Sequence, residues 1–252
     1  MLLFLYLSGI ITIYGATADS TVTKIVGGLT AKEGQFPHQV SLRYENKHYC
    51  GGSVLNKRWI LTAAHCLSQF NVSKIAVVLG TVTLDKGGDV YKVSQTIPYK
   101  EYNSQKISND IGLVKVDRDI EFNDKVKPIN LPTENFKDVG SYVTLSGWGK
   151  TSRGGSIPNK LQQIKVKVID NKKCVSMFSL IKTPITDTNI CTLNSYGEGA
   201  CNGDSGGPLI KGDEQIGVVS WGIPCARNYP DVFTRVYNYL DWIKTHIKED
   251  DN

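Results

Sequence analysis

The chain has 252 residues with a formal net charge of +5 at pH 7, and 40% of its residues are hydrophobic. Its lysines are scattered, and no basic run with interleaved aromatic residues occurs, so the composition argues against nucleic-acid binding. This length suits one compact unit or two half-domains with a large core.

Residues 1–18 are predicted to form a signal peptide. The apolar stretch that opens with Met1–Leu7 ends near Ala16-Thr17-Ala18, where small residues offer a cleavage site, although no lysine or arginine precedes it. A transmembrane anchor is the alternative, but Ser8 and Gly9 interrupt the stretch, which is short for a span of ~20 apolar residues. We therefore expect a secreted, extracellular protein without a membrane anchor.

Two series of short β-rich runs follow and predict an all-β barrel or sandwich. Many runs alternate, as in Lys165-Val166-Lys167-Val168, which is typical of half-buried antiparallel strands. The first series comprises Gln39–Arg43, Trp59–Thr62, Ile75–Leu79, Val90–Thr96 and Ile111–Val116. The second comprises Ser141–Ser146, Leu161–Ile169, Pro208–Ile210, Gln215–Trp221 and Val232–Val236.

Helix is expected in only two places. The stretch 171–178 could form one short helix, and 237–247 could form a closing amphipathic helix. The second has Tyr239, Leu240, Ile243 and Ile247 on one face at helical spacing, which favours core packing over a membrane or partner site. Between the strands, 150–160 is predicted to be an exposed loop.

The six cysteines predict disulfides, because their number is even and export is expected. Metal binding is the competing use, but the chain has no Cys-x-x-Cys or His-Glu-x-x-His motif. We therefore expect no metal site. The spacing alone leaves the pairing of the cysteines open.

The segment Gly203-Asp204-Ser205-Gly206-Gly207-Pro208 surrounds one serine with glycines. A serine hydroxyl is a poor nucleophile unless a base takes its proton and donors receive the oxyanion. Glycines let the backbone turn tightly, so that N–H groups face a substrate. Alone, the segment would be only a glycine-rich turn, and its meaning depends on a base and an acid elsewhere.

Two upstream segments supply candidates for the base and the acid. His65 ends an apolar run beside Cys66, whereas His38, His48 and His246 have no comparable setting. Asp110 opens an apolar strand, where a buried carboxylate needs a partner.

With His65, Asp110 and Ser205 in this order, the chain resembles the chymotrypsin/trypsin family of serine proteases. Further landmarks are Ile25-Val26-Gly27-Gly28, Cys50-Gly51-Gly52-Ser53, Ser146-Gly147-Trp148-Gly149 and Ser220-Trp221-Gly222. The resemblance implies an all-β fold of two antiparallel six-stranded β-barrels with a C-terminal helix. It places the N-terminal barrel at about 25–130 and the C-terminal barrel at about 131–252, with the active site between them.

The resemblance also implies roles for particular residues. Ser205 would attack the peptide carbonyl, His65 would accept its proton, and Asp110 would orient the imidazole. The N–H groups of Gly203 and Ser205 would form the oxyanion hole. The implied disulfides are Cys50–Cys66, Cys174–Cys191 and Cys201–Cys225. No cofactor is implied. Thr81 stands where the calcium-binding members of the family have a glutamate, so no calcium site is expected.

Activation by cleavage is a further implication of the resemblance. Residues 19–24 would be a pro-segment that a trypsin-like protease removes after Lys24, and the new amine of Ile25 would pair with Asp204. Before cleavage, Asp204 is expected to contact His48, with Ser41 in support, unless His48 is a surface residue. Expected partners are protein and peptide substrates, the activating protease and protein inhibitors, and the chain is expected to be a monomer.

The resemblance places a specificity pocket around Gly199, where trypsins carry aspartate, and Ala200. Ser220, Trp221 and Gly222 resemble the segment that pairs with an extended substrate. Asp231 replaces the usual glycine, a pattern closest to arthropod chymotrypsins and collagenolytic serine proteases.

This pocket predicts cleavage after Phe, Tyr or Leu, with Lys and Arg secondary. A trypsin-like protease selective for Lys and Arg is one alternative. The alternative from another class is an inactive homologue that acts as a binding module, which the retention of all three catalytic candidates disfavours.

Overall fold

The structure, a computed structural model, describes residues 27–68, 70–178 and 183–248. The expected signal peptide, the pro-segment, Lys24 and Ile25 lie outside the described residues. The strands of the first half are β1 Leu29–Thr30, β2 Gln39–Tyr44, β3 Lys47–Val54, β4 Trp59–Thr62, β5 Ile75–Leu79, β6 Asp89–Pro98 and β7 Gly112–Val116. Those of the second half are β8 Tyr142–Gly147, β9 Gln162–Ile169, β10 Asn189–Thr192, β11 Pro208–Lys211, β12 Glu214–Gly222 and β13 Asp231–Arg235.

The first barrel closes through antiparallel pairs in the order β2-β3-β4-β7-β6-β5. Strand β3 has no counterpart in the β-rich runs of the sequence, because Gly51 and Gly52 are weak strand formers at its centre. Gly51 has a packing reason, since a Cβ there would lie 2.9 Å from the Cα of Gly207 in the other half of the chain.

The second barrel contains β8, β9, β10, β13, β12 and β11, and the pairing of β8 with β9 closes it. The short strand β1 pairs with β9 at the edge of this sheet. The predicted fold of two six-stranded antiparallel barrels is therefore confirmed. Strand β10 was not predicted, since its four residues give too short a pattern to separate from a loop.

Two α-helices occur within the described residues, α1 Asn171–Met177 and α2 Leu240–Ile247. Asp170 caps α1, because its carboxylate accepts the N–H groups of Lys172 and Lys173. Short 3-10 helices span Ala64–Cys66, Val72–Lys74 and Val236–Tyr239. The predicted closing helix is thus a 3-10 turn that continues into α2. The predicted loop at 150–160 contains no helix or strand.

The apolar face of α2 packs where the sequence pattern places it, in a core. Tyr239 and Ile243 belong to the same hydrophobic cluster as Leu42, Ile60 and Leu113 of the first barrel. Helix α2, which follows the second barrel in the chain, therefore packs against the first barrel and links the two halves.

The three disulfides join Cys50 to Cys66, Cys174 to Cys191 and Cys201 to Cys225. Their presence agrees with an oxidising compartment. Across the three described ranges, no helix has both the length and the apolar character that crossing a membrane requires.

His38 is a buried titratable group at the end of the loop before β2. Its Nε2 has no hydrogen-bond partner among the described residues. The Phe36 ring packs edge-on against the imidazole, with 6.1 Å between the two ring centroids. Burial lowers the pKa of His38 to about 4, because charging the ring would require solvation that this site does not offer.

We predict that His38 makes the fold lose stability between pH 6.5 and 4. The unfolded chain takes up a proton near pH about 6.5, whereas folded His38 resists until about 4, so the free energy of unfolding falls as pH falls through this window. Replacement by methionine (His38→Met) should remove roughly 2–3 kcal/mol of that loss. Urea unfolding at pH 7 and 4, followed by tryptophan fluorescence, measures it, and equal losses in both proteins would contradict the prediction.

Candidate active site

Strands β4 and β7 bring His65 and Asp110 together. Thr62, at the end of β4, pairs with Gly112, at the start of β7, so the residues just beyond them are neighbours. Asp110 is only 1% exposed, and its Oδ1 accepts the backbone N–H of His65 at 2.9 Å. Its Oδ2 lies 2.7 Å from His65 Nδ1. A carboxylate accepts hydrogen bonds, so Nδ1 carries the proton and Nε2 keeps its lone pair.

The second barrel also contributes to this carboxylate. The hydroxyl of Ser220, on β12, donates to Asp110 Oδ2 at 2.5 Å. The pairing of β12 with β13 shifts register between Val219 and Trp221, which is a β-bulge at Ser220. Bulges re-aim side chains, and this one accompanies a hydroxyl that points across the barrel interface.

The loop that carries Ser205 lies against the first barrel. The N–H of Gly51 donates to the Ser205 carbonyl at 2.7 Å, and Thr62 Oγ1 donates to the Gly51 carbonyl at 2.8 Å. Gly206 has φ +77°, and a Cβ there would lie 2.2 Å from Thr62 Oγ1. Only glycine fits this contact, which places the serine loop beside the strand end that leads to His65.

The structure does not join Ser205 to His65 directly. Within the described ranges the Ser205 hydroxyl forms no hydrogen bond, and His65 Nε2 lies 3.6 Å from Cys66 Sγ. Contacts between a nucleophile and its base are often long in the absence of substrate and tighten when it binds. The backbone N–H groups of Gly203 and Ser205 also have no acceptor among these residues.

Asp204 is completely buried beside the serine loop. Its Oδ1 accepts the N–H of Gly149 at 2.7 Å, and its Oδ2 accepts the N–H of Cys201 at 3.0 Å. A Cβ at Gly147 or Gly149 would lie 2.2 or 2.0 Å from these oxygens, so glycines form the cradle around the carboxylate. Burial raises the pKa of Asp204 to about 6, although both N–H groups oppose the shift.

The expected contact between Asp204 and His48 is not formed. His48 Nε2 lies 3.0 Å from the Gly203 carbonyl oxygen instead. Its Nδ1 lies 2.8 Å from Ser41 Oγ, so the expected support from Ser41 is present. The imidazole is therefore already occupied, while Asp204 is satisfied by backbone N–H groups in its glycine cradle. The alternative of a surface His48 is also wrong, since the ring is half-buried against Trp148.

A cavity of about 140 Å³ adjoins Ser205. The predicted pocket residues that line it are Ala200, Ser220, Trp221, Gly222 and Asp231. Gly199 does not line the cavity but lies directly behind it, since a Cβ there would be 2.6 Å from Asp231 Oδ2. Asn202 also lines the cavity, and no sequence motif indicated it.

The Asp231 carboxylate is the only acidic group that lines this cavity among the described residues. Its Oδ2 accepts the N–H of Ala200 at 2.8 Å, and its Oδ1 lies beside Gly222, where a Cβ would approach to 3.2 Å. Burial raises the pKa of Asp231 to about 7, the Ala200 N–H opposes this shift, and the charge of Asp204 adds to it.

One group of side chains near the site has metal-ligand atoms close together, namely Cys50, His65 and Cys66 in the described part of the chain. The two sulfurs are joined in a disulfide. They therefore offer no thiolate to a metal ion, and this group does not fit one.

Two β-barrels meet at a buried aspartate bound to a partly exposed histidine, beside a glycine-rich serine loop and a cavity. These features define the class of two-barrel serine hydrolases. Comparison with known proteins narrows the class. The Trypsin family model matches residues 25–243. Chymotrypsin-2 of Vespa crabro is 47% identical over 220 residues, which cover 87% of this chain and 98% of that protein.

Two further relatives carry the name trypsin. Trypsin Blo t 3 of Blomia tropicalis is 39% identical over 226 residues, which cover 87% of this chain and 85% of that protein. Trypsin beta of Drosophila erecta is 38% identical over 222 residues, which cover 87% of each chain. The chain therefore belongs to the trypsin family and is a serine endopeptidase.

Proposed function

We propose that Ser205, His65 and Asp110 are the catalytic residues of this endopeptidase. The observation that carries the proposal is the pair of bonds from one buried carboxylate to the backbone and ring of His65. They fix the tautomer in which Nε2 can accept a proton. The glycine contacts of the serine loop against Thr62 support a place for Ser205 beside that nitrogen.

In this mechanism the Ser205 hydroxyl gives its proton to His65 Nε2 while its oxygen bonds to the peptide carbonyl carbon. The carbonyl oxygen becomes an oxyanion, which the N–H groups of Gly203 and Ser205 receive, since neither has another acceptor in the described structure. The C–N bond then breaks as His65 returns the proton to the leaving amine. Water, deprotonated by the same imidazole, hydrolyses the acyl-enzyme and frees the serine.

Removal of any of the three catalytic groups is predicted to abolish turnover. Ser205→Ala, His65→Ala and Asp110→Asn should each lower kcat by roughly 10⁴-fold or more, because the groups act as one unit. An active-site organophosphate should label the activated wild type once and Ser205→Ala not at all. Ser73→Ala is the matched control, since Ser73 is an exposed serine in the 3-10 helix Val72–Lys74. An unlabelled wild type would instead favour the inactive binding module.

The cavity beside Ser205 supports a chymotrypsin-like preference for Phe, Tyr or Leu before the scissile bond. Gly199 provides no carboxylate behind the cavity, and Gly222 leaves one wall without a side chain. The similarity to Chymotrypsin-2 of Vespa crabro points the same way. Asp231 is bound to the Ala200 N–H and offers its other oxygen to a secondary Lys or Arg side chain.

Asp231 is predicted to make the substrate preference depend on pH. Its pKa of about 7 leaves a neutral carboxyl below that value and a carboxylate above it, so acceptance of Arg should rise with pH while acceptance of Phe should not. The ratio of kcat/KM for Arg and Phe peptides measures this directly, because the pH dependence of the shared catalytic steps cancels. Asp231→Asn and Asp231→Gly should remove the dependence.

We expect Phe to lead at every pH from 6 to 9. A preference of tenfold or more for Arg over Phe, about 1.4 kcal/mol in transition-state binding, would instead establish the trypsin-like alternative.

We further propose that the protein is secreted as a zymogen, with a signal peptide at 1–18 and a pro-segment at 19–24. A trypsin-like protease would cut after Lys24, and the amine of Ile25 would pair with Asp204. The buried Asp204 carboxylate supports this, because its raised pKa reflects a charge that two N–H groups leave incompletely compensated. The three disulfides support an extracellular setting, where protein substrates and protein inhibitors are the expected partners of a monomer.

Activation is predicted to require cleavage after Lys24. Lys24→Gln should remain nearly inactive after trypsin treatment, whereas the wild type should gain activity as the new Ile25 N-terminus appears. Ester hydrolysis and N-terminal sequencing, measured on the same samples, follow both events. Full activity of the uncut Lys24→Gln protein would show that no pairing amine is needed.

A further inference from the structure

A threonine of the second barrel contacts the backbone of the catalytic acid. Thr234, on β13, is 2% exposed, and its Oγ1 donates to the Asp110 carbonyl oxygen at 2.7 Å. The two residues lie 124 positions apart in the chain. The bond therefore crosses the interface between the barrels and holds the main chain of Asp110, whereas Ser220 holds its carboxylate.

A tyrosine holds the preceding residue in an unusual backbone conformation. Asn109 has φ +55°, in the left-handed region that, apart from glycine, asparagine and aspartate adopt most readily. The Tyr239 hydroxyl donates to Asn109 Oδ1 at 2.8 Å, and Asn109 Nδ2 donates to the Glu101 carbonyl at 3.0 Å. Burial raises the pKa of Tyr239 to about 12, so this hydroxyl keeps its proton and remains a donor.

These contacts affect the direction in which the Asp110 carboxylate points. The Asp110 side chain turns about only two torsions, so its direction follows the backbone of Asn109 and Asp110. That backbone forms a left-handed turn, and the hydrogen bonds of Tyr239 and Thr234 restrict how far it can move. A small displacement would lengthen the 2.7 Å contact with His65 Nδ1, and misplacement of a catalytic group by about 1 Å can cost 10²-fold in rate.

We propose that Thr234 and Tyr239 are positioning residues that hold the Asn109–Asp110 segment so that the carboxylate faces His65. The inference rests on the proposed roles of Asp110, His65 and Ser205. In this arrangement, the second barrel controls the catalytic acid of the first through its main chain. The position of β13 then affects both the catalytic rate and the shape of the pocket, since Asp231 is the first residue of the same strand.

The test replaces the Thr234 hydroxyl with a methyl group of equal size. Thr234→Val should lower kcat about 5- to 20-fold with KM changed less than about twofold, because one hydrogen bond is lost and no pocket group is altered. Thr234→Ser keeps the donor and should restore kcat to within about threefold of the wild type. Thr192→Val is the matched control, since Thr192 is equally buried on the neighbouring strand β10 and its Oγ1 has no partner within the described structure.

Organophosphate labelling of each variant counts the competent sites, so kcat is expressed per labelled site and is independent of any loss of folded protein. The proton NMR signal of His65 Nδ1–H, which reports its bond to Asp110, should shift in Thr234→Val and not in Thr192→Val. Tyr239→Phe removes the other contact and should lower kcat about 3- to 10-fold. It carries the test if Thr234→Val does not fold.

Three results would overturn the inference. The first is a wild-type kcat per labelled site in Thr234→Val or, where that variant does not fold, in Tyr239→Phe. The second is a Thr234→Ser variant that does not restore kcat. The third is a loss of kcat in Thr192→Val equal to that in Thr234→Val. Failure of the proposed function is distinguishable from failure of this inference. An unlabelled wild type or a fully active Ser205→Ala would show that the catalytic assignment is wrong, independently of any Thr234 variant.

Discussion

The buried carboxylate of Asp110 is the constraint on which the rest of the site depends. A carboxylate removed from water must be matched by donors, and leaving it unpaired would cost several kcal/mol. Its donors come from both barrels, with the N–H and Nδ1–H of His65 on one side and the Ser220 hydroxyl on the other. The charge is therefore satisfied where the two barrels meet, in the arrangement that also places the serine loop against the first barrel.

The same requirement recurs at Asp204 and Asp231 with fewer donors. Asp204 receives two backbone N–H groups and has a pKa of about 6, whereas Asp231 receives one and has a pKa of about 7. The carboxylate with the fewest hydrogen-bond donors is thus the one that lines the cavity beside Ser205. In the proposed function, these two carboxylates gain a further donor from the Ile25 amine and from a basic substrate side chain, respectively.

Glycines permit the closest approaches around these acids. A side chain at Gly149 would overlap Asp204, one at Gly199 would overlap Asp231, and one at Gly206 would overlap Thr62. The glycines near the serine therefore have two functions. They allow tight turns, and they let carboxylates and backbone from different segments meet without an intervening Cβ.

The sequence by itself determined the local features of this protein. Trp59–Thr62 and Ile75–Leu79 were predicted with the bounds of the structure, because β-branched and apolar runs between turn residues carry their own signal. The motifs around His65, Asp110 and Ser205 likewise indicated the chemistry. Strand β3 was not predicted because two glycines interrupt its pattern, and one of them, Gly51, is needed for a contact with the distant Gly207. Tertiary structure alone decided that Ser220, Thr234 and Tyr239 reach the Asp110 segment, and that His48 contacts Gly203 rather than Asp204. The sequence around a strand hydroxyl does not indicate which group it will bind, since that group comes into reach only when both barrels close and pack together.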